Sequence, residues 1–283
     1  MGAGGVQSPE SRLAALALVT QGHLFELDRP IRAGAPHWER IQPPFLMSLW
    51  SSAHRVIRAV RRQGARNDPG VNLEQAHMTF HVGTHVDALG HFTIGDRMYG
   101  GYSAEDVVGD QGLRRLGVEH VPSLVTRGVC IDVAGLDGGD FLEAGRAVSA
   151  GDLQQALRRQ STTIRPGDVV LVRTGWGRFY MTNNARYTAG EPGIDLGAAQ
   201  WLTDQGVYAI GADSMAVEVL PGVEKDVMMP VHQHALVERG VYLIENLALD
   251  GLSAAGVSSF CFIMLPVRFV GATGSPVRPI AMI

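Results

Sequence analysis

With 283 residues, the chain has the length of one large domain or two small ones. Its 46% hydrophobic and 18% charged residues are the composition of an ordinary globular protein. A net charge of −4 removes any electrostatic case for nucleic-acid binding, and no basic motif supplies one.

The opening M-G-A-G-G-V-Q-S-P-E-S-R lacks the basic start and apolar core of a signal peptide, and no apolar run reaches membrane-spanning length. The expectation is a soluble, cytoplasmic protein with a disordered lead-in over residues 1–10 and a single domain over 11–283. Ser11–Gln21 reads as the first helix, with Ser8 as its cap and Pro9 at the first position. Leu24–Leu27 reads as a short strand. From Ala33 to Trp50, Pro36, Pro43 and Pro44 punctuate a loop that carries Trp38, Phe45, Met47 and Trp50. So long a loop is uncommon without a function. It is either an apolar wall over a substrate pocket or a surface loop packed on its own aromatics. The Arg-rich run 54–62 reads as a solvated helix face or a loop near the mouth of a site.

The stretch Phe80–Phe92 reads F-H-V-G-T-H-V-D-A-L-G-H-F and holds His81, His85, Asp87 and His91 within eleven residues. Imidazole and carboxylate together are the ligand set of Zn²⁺, Mn²⁺ or Fe²⁺. Val82, Gly83, Thr84 and Val86 are poor helix formers, so an extended or tight-turn backbone is preferred. With a period of two, His81, Gly83, His85 and Asp87 share a face, and Gly83 leaves room there for an ion and its water. A turn of helix after Asp87 then returns His91 toward it.

Further on, 128–133 and 168–174 are apolar, β-branched runs that read as buried strands, the second ending in T-G-W-G as a pocket floor with Trp176. Ser149–Arg159 is an amphipathic helix capped by Ser149 with Asp152 three residues on. Gly193–Gln205 reads as a short helix, 206–211 as a strand and Pro230–Gly240 as a helix with Gly240 just past its end. Val241–Leu247 is a strand with Glu245 in its middle. An ionised Glu in V-Y-L-I-E-N-L costs several kcal/mol to bury unless paired or metal-bound, so Glu245 is a ligand or general base, or else faces water from an edge strand. His232 and His234 open the preceding helix two residues apart, so only one of them is expected to face the site, and His232 is chosen. Cys130 and Cys261 read as buried thiols. The whole is one mixed α/β domain.

The run H-V-G-T-H-V-D-A-L-G-H resembles the H-x-G-T-H-x-D-x-x-x-H signature of the metal-dependent cyclase family, which includes bacterial kynurenine formamidases and isatin hydrolases. The resemblance continues through R-G-V-C-I-D-V at 127–133, G-D-V-V-L-V-R-T-G-W at 167–176, G-A-D-S at 211–214, P-V-H-Q…E-N-L at 230–247 and P-V-R at 276–278. It implies a single-domain swivelling β/β/α fold, a homo-oligomer (dimer or tetramer), and one or two divalent ions, Zn²⁺ or Mn²⁺. His81, His85, Asp87, His232 and Glu245 would be ligands and His91 the catalytic acid/base, with Glu245 also able to act in catalysis. Two departures are visible. His232 and Glu245 are thirteen apart where shorter members have twelve, which leaves His234 as the alternative, and Ala88-Leu89 replace the usual small residue and proline.

These residues fit a metal-dependent hydrolase of a small amide, formamide, cyclic amide or lactone, since a bound ion lowers the pKa of its water to roughly 7. Trp38 and Trp176 would contact an aromatic substrate. The rivals are a metal-assisted cyclase or dehydratase and a metal-dependent binding protein without turnover. A serine hydrolase is disfavoured, because there is no G-x-S-x-G elbow.

Overall fold

The computed structural model describes residues 7–283. Helix α1 (Pro9–Leu16) begins as expected, with the Ser8 hydroxyl accepting the Ser11 N–H and Pro9 in the first turn. It ends five residues sooner than the sequence reading, and its first two residues fall inside the expected lead-in. Residues 1–6 of that lead-in lie outside the described residues. Strand β1 (Leu24–Glu26) follows, and then β2 (Leu46–Ser51), α2 (Ala53–Arg62) and β3 (Leu73–His77). The strand that carries His85 and Asp87 is β4 (His85–Asp87). After it come α3 (Ala104–Val107), the small hairpin of β5 (Val108–Gly109) and β6 (Gly112–Leu113), and the long β7 (Leu124–Asp132). The middle of the chain runs through β8 (Ala147–Val148), α4 (Ala150–Arg159), β9 (Val169–Arg173), α5 (Asn184–Thr188), β10 (Gly193–Ile194), α6 (Leu196–Asp204) and β11 (Ala209–Ala212). The last part holds α7 (Pro230–His232), which widens into a π-helix over Gln233–Arg239, then β12 (Tyr242–Glu245), α8 (Asp250–Ala254), β13 (Ser259–Met264), β14 (Gly274–Pro276) and β15 (Ile280–Met282).

Nine of these strands form one sheet in the order β1-β15-β13-β7-β9-β11-β12-β4-β14. Its centre, β7-β9-β11-β12, is parallel, and the flanking pairs are antiparallel. The V-C-I, V-V-L-V and A-I-G-A runs are buried without alternation, as befits strands covered on both faces. Helices α4 and α6 pack together beside the sheet, and α1 and α8 pack against β7. α4 forms because Ser149 and Asp152 close a capping box. The architecture is a mixed α/β domain, in agreement with the sequence reading.

Three local expectations differ. The helix expected over 193–205 starts only at Leu196, because Gly193 and Ile194 pair with β8. The 33–50 loop ends in strand β2, not at Trp50. Glu245 is not on an edge strand, since β12 lies between β11 and β4.

Candidate metal centre

The site lies where the parallel strands end, at the join of β12 and β4. This is the carboxyl-end position at which open α/β sheets place ligands. Antiparallel pairing sets Glu245 opposite His85 and Ile244 opposite Val86. On the other side of β4, β14 sets Gly274 opposite Asp87. A Cβ on Gly274 would stand 2.8 Å from the His81 ring, so glycine there lets the imidazole lie across the strand. Extended backbone covers only 85–87, and residues 80–84 turn.

Gly83 differs from its sequence reading. Its φ is +65°, and a Cβ would meet Ile31 at 2.8 Å rather than an open ion site. The glycine permits the turn and the close approach of Ile31. Its carbonyl accepts the His85 Nδ1–H at 2.9 Å, which turns Nε2 toward Asp87 and Glu245.

The side chains converge on Asp87, which is fully buried. His81 Nδ1 stands 2.9 Å from its Oδ1, and His85 Nε2 stands 3.5 Å from the same atom. Glu245 Oε2 is 3.2 Å from His85 Nε2, and Oε1 is 3.2 Å from His232 Nε2. His232 Nε2 is 3.7 Å from Asp87 Oδ2. The structure thus brings His232 to the site, whereas His234 bonds Thr203 and Glu238. The turn after Asp87, closed by His91 N–H to the Ala88 carbonyl, returns His91, whose ring stacks on His81 at 4.0 Å between centroids.

His85 Nε2 and both oxygens of Asp87 are buried without a hydrogen bond of proper geometry. Buried polar atoms are otherwise nearly always satisfied, so three orphans facing one another call for a cation. The donors form two groups that share Asp87, namely His81-Asp87-His91 and His85-Asp87-Glu245. In each group the atoms lie within 4.8 Å of one another. Nitrogen and carboxylate donors of this kind suit Zn²⁺ or Mn²⁺.

The electrostatics agree. Burial pushes the His85 imidazole down, but Asp87 and Glu245 more than offset this and lift it to about 10. His232 rises to about 10 in the same way, with Glu218 and Glu245 opposing its burial. Asp87 is held well below the usual carboxylate range by the imidazoles around it, His81 and His85 among them, despite its burial. His91 falls to about 3, through burial and the neighbouring His81 and His232. Without an ion, the site keeps two carboxylates charged by holding protons on two histidines.

A further layer fixes these groups, and sequence reasoning missed it. Glu218 is buried and accepts the His232 Nδ1–H at 2.6 Å as well as the N–H groups of Val231 and His232. It sits in M-A-V-E-V-L, an apolar run as unfriendly to a carboxylate as the one that drew attention to Glu245. Thr273 Oγ1 bonds His81 Nε2 at 2.9 Å. Asn246 has φ +56°, and it is tied down by the Tyr187 hydroxyl on its side chain and by Thr84 on its carbonyl. Such strain beside Glu245 is the kind found at functional sites. Asp213 of G-A-D-S instead accepts the Thr174 and Gly175 N–H groups and joins β9 to β11.

The two tryptophans part company. Trp176 is 1% exposed, with its indole N–H on the Tyr187 carbonyl, so it offers a ligand no surface. Trp38 lines a cavity of about 710 Å³ together with Ile41, Tyr187, Glu191, Leu220 and Met228.

Comparison with known proteins gives a consistent result. A family model described as "Putative cyclase" matches residues 25–219. Cyclase-like protein 2 of Arabidopsis thaliana is 27% identical over 234 residues, 82% of this chain and 73% of that protein. A kynurenine formamidase of Geobacillus thermodenitrificans is 28% identical over 211 residues, 74% of this chain and 78% of that enzyme. Among solved structures, a novel cyclase superposes with a TM-score of 0.87 at 27% identity, covering 100% of this chain and 95% of the other. Isatin hydrolase A of Labrenzia aggregata, bound to benzyl benzoate, shares the fold at 22% identity, with a TM-score of 0.68 over 98% and 99% of the two chains.

Proposed function

Because this chain belongs to the cyclase family, we propose that it is a metal-dependent hydrolase opening a C–N or C–O bond of a small amide, formamide, cyclic amide or lactone. The observation that carries the reading is the trio of unpartnered buried atoms, His85 Nε2 and both Asp87 oxygens. Relatives that include a kynurenine formamidase support the hydrolytic choice.

In this reading His81, His85, Asp87, His232 and Glu245 hold one or two divalent ions, Zn²⁺ or Mn²⁺. The ion, when bound, polarises a carbonyl and makes a water more acidic. His91 stands beside the donors and is held neutral by its burial, so it starts as a base. It accepts the proton that water loses and returns it to the leaving nitrogen or oxygen, a role typically worth about 10²–10⁴-fold. Glu218 and Thr273 fix which nitrogen of His232 and His81 faces the ion. Trp38 supplies an aromatic wall for the substrate from its cavity.

The test joins metal content to product chemistry. Protein purified without an affinity tag should carry about one or two Zn or Mn per chain, and His81→Ala should lose them. Turnover of formamides, cyclic amides and lactones in H₂¹⁸O should place label in a new carboxylate. Stoichiometric metal without label would point away from hydrolysis, and absence of metal after reconstitution would overturn the mechanism.

A further inference from the structure

The segment from Glu191 to Ile194, E-P-G-I, runs beside residues 215–220 and braces them. Glu191 and Leu220 exchange backbone hydrogen bonds of 2.8 and 2.9 Å. The Ile194 N–H reaches the Val217 carbonyl, and the Val219 N–H returns to the Ile194 carbonyl. Glycine at 193 permits the approach, since a Cβ there would stand 2.4 Å from the Val217 oxygen. The Glu191 side chain adds a clamp. Its two carboxyl oxygens each accept one backbone N–H, from Met215 and from Ala216, both at 2.7 Å. Glu191 is 2% exposed, and burial pushes its carboxyl well above the usual range against the pull of those N–H groups. A buried carboxyl is costly, and what this one holds is the backbone just ahead of a strained turn.

Val217 has φ +61° and is fully buried. For a β-branched residue that conformation is a genuine outlier. The Glu218 N–H closes the turn onto the Ala216 carbonyl at 2.5 Å, a three-residue turn that is rare and strained when φ is positive. Such backbone persists only where its surroundings over-determine it. The side chain that follows the turn is Glu218, which takes the His232 Nδ1–H at 2.6 Å together with the N–H groups of Val231 and His232.

We propose that Glu191 is a positioning residue of the metal centre: by clamping Met215 and Ala216 it keeps Val217 in its strained turn, and the turn sets Glu218 against His232. Glu191 acts through Glu218 and itself touches neither substrate nor ion. Its bearing on metal binding rests on the reading of His232 as a ligand.

The experiment is a double-mutant cycle of Glu191→Gln and Glu218→Gln on the full chain. It is read by Zn²⁺ affinity in competition with a chromogenic chelator, and by the His232 imidazole signals in ¹⁵N NMR of the metal-free protein. The substituted amide at 191 keeps the shape but turns an NH₂ toward one of the two backbone N–H groups. Glu191→Gln alone should weaken Zn²⁺ binding about 10-fold, the lower end of what the loss of an outer partner costs a ligand, and should shift the His232 Nδ1–H signal. In the Glu218→Gln background it should cost nothing further, because the link it serves is already cut. Asp152→Ala weakens the fold at the cap of α4 and should leave both readings at wild-type values. Wild-type affinity with an unmoved imidazole signal in Glu191→Gln would overturn the proposal. So would losses that add in the double variant, since Glu191 would then reach the centre by a different route. If Glu191→Gln does not fold, Glu191→Asp, which keeps the charge and is one methylene short, takes its place with the same outcomes. A wild-type chain that binds no Zn²⁺ sinks the hydrolase reading instead, and the imidazole signal of the metal-free protein then decides this one.

Discussion

Asp87 is the residue shared by both donor groups, so its loss should reach furthest. Asp87→Asn keeps the shape and removes the charge, and the expected result is loss of stoichiometric metal by elemental analysis together with activity. Glu218→Gln is subtler. The His232 Nδ1–H loses a charged acceptor, and metal affinity should fall about 10–100-fold while the fold persists, as seen by competition with a chromogenic chelator. Proton balance gives a third expectation. His85 and His232, both raised to about 10, hold protons at neutral pH in the metal-free protein. An ion must displace both, so affinity should rise with pH by up to about 100-fold per unit between pH 6 and 8. Calorimetric titration in buffers of different ionisation enthalpy would count the released protons, and a count of zero would contradict the electrostatics.

At the scale of elements, some were legible because one local rule decided them. α4 follows from Ser149 and Asp152, and the buried strands β7 and β9 follow from β-branched runs. Strand β4 was legible in type, since Val82, Thr84 and Val86 argue against a helix. Its turn at Gly83 was not, because the φ of +65° answers to Ile31, which is far away in sequence. The widening of α7 into a π-helix after His232 has no sequence signal of its own, although such widening gathers at functional sites. Two changes probe this scale. Gly83→Ala strains a positive φ and crowds Ile31, and should cost more than about 1 kcal/mol in denaturant unfolding along with metal affinity. Asp152→Ala should cost about 0.5–2 kcal/mol, the worth of a helix cap. The Arg146 guanidinium beside Asp152 holds its carboxyl down at about 2, against an ordinary 3.8. A depressed carboxylate stabilises the fold above the unfolded value and loses that effect as pH falls toward the folded one. The gap between variant and wild type should therefore be full at pH 5 and shrink between pH 4 and 2.

For the whole molecule, an ion held by the native state alone adds stability by mass action, about 2.7 kcal/mol at a hundred times its dissociation constant. Chelation should lower the melting temperature by about 5–10 °C, and re-addition of Zn²⁺ or Mn²⁺ should restore it. Among the described residues, no helix is long and apolar enough to cross a membrane. The part of the site within 81–91 could be read because its residues are neighbours in sequence. His232 over His234, Glu218, Asn246 and Thr273 could not be fixed that way, because sheet order and not spacing brings them there. That order also imposes a schedule on manufacture. β4 has no neighbour of its own age: β12 is translated some 160 residues after it, and β14 almost 190. A ribosome will have released His81, His85 and Asp87 long before Glu245 and Gly274 exist. The centre is completed only once Gly274 has emerged, so a nascent chain stalled or cut short before it would present its histidines to the cell unenclosed, as a loose chelator and not as a selective site.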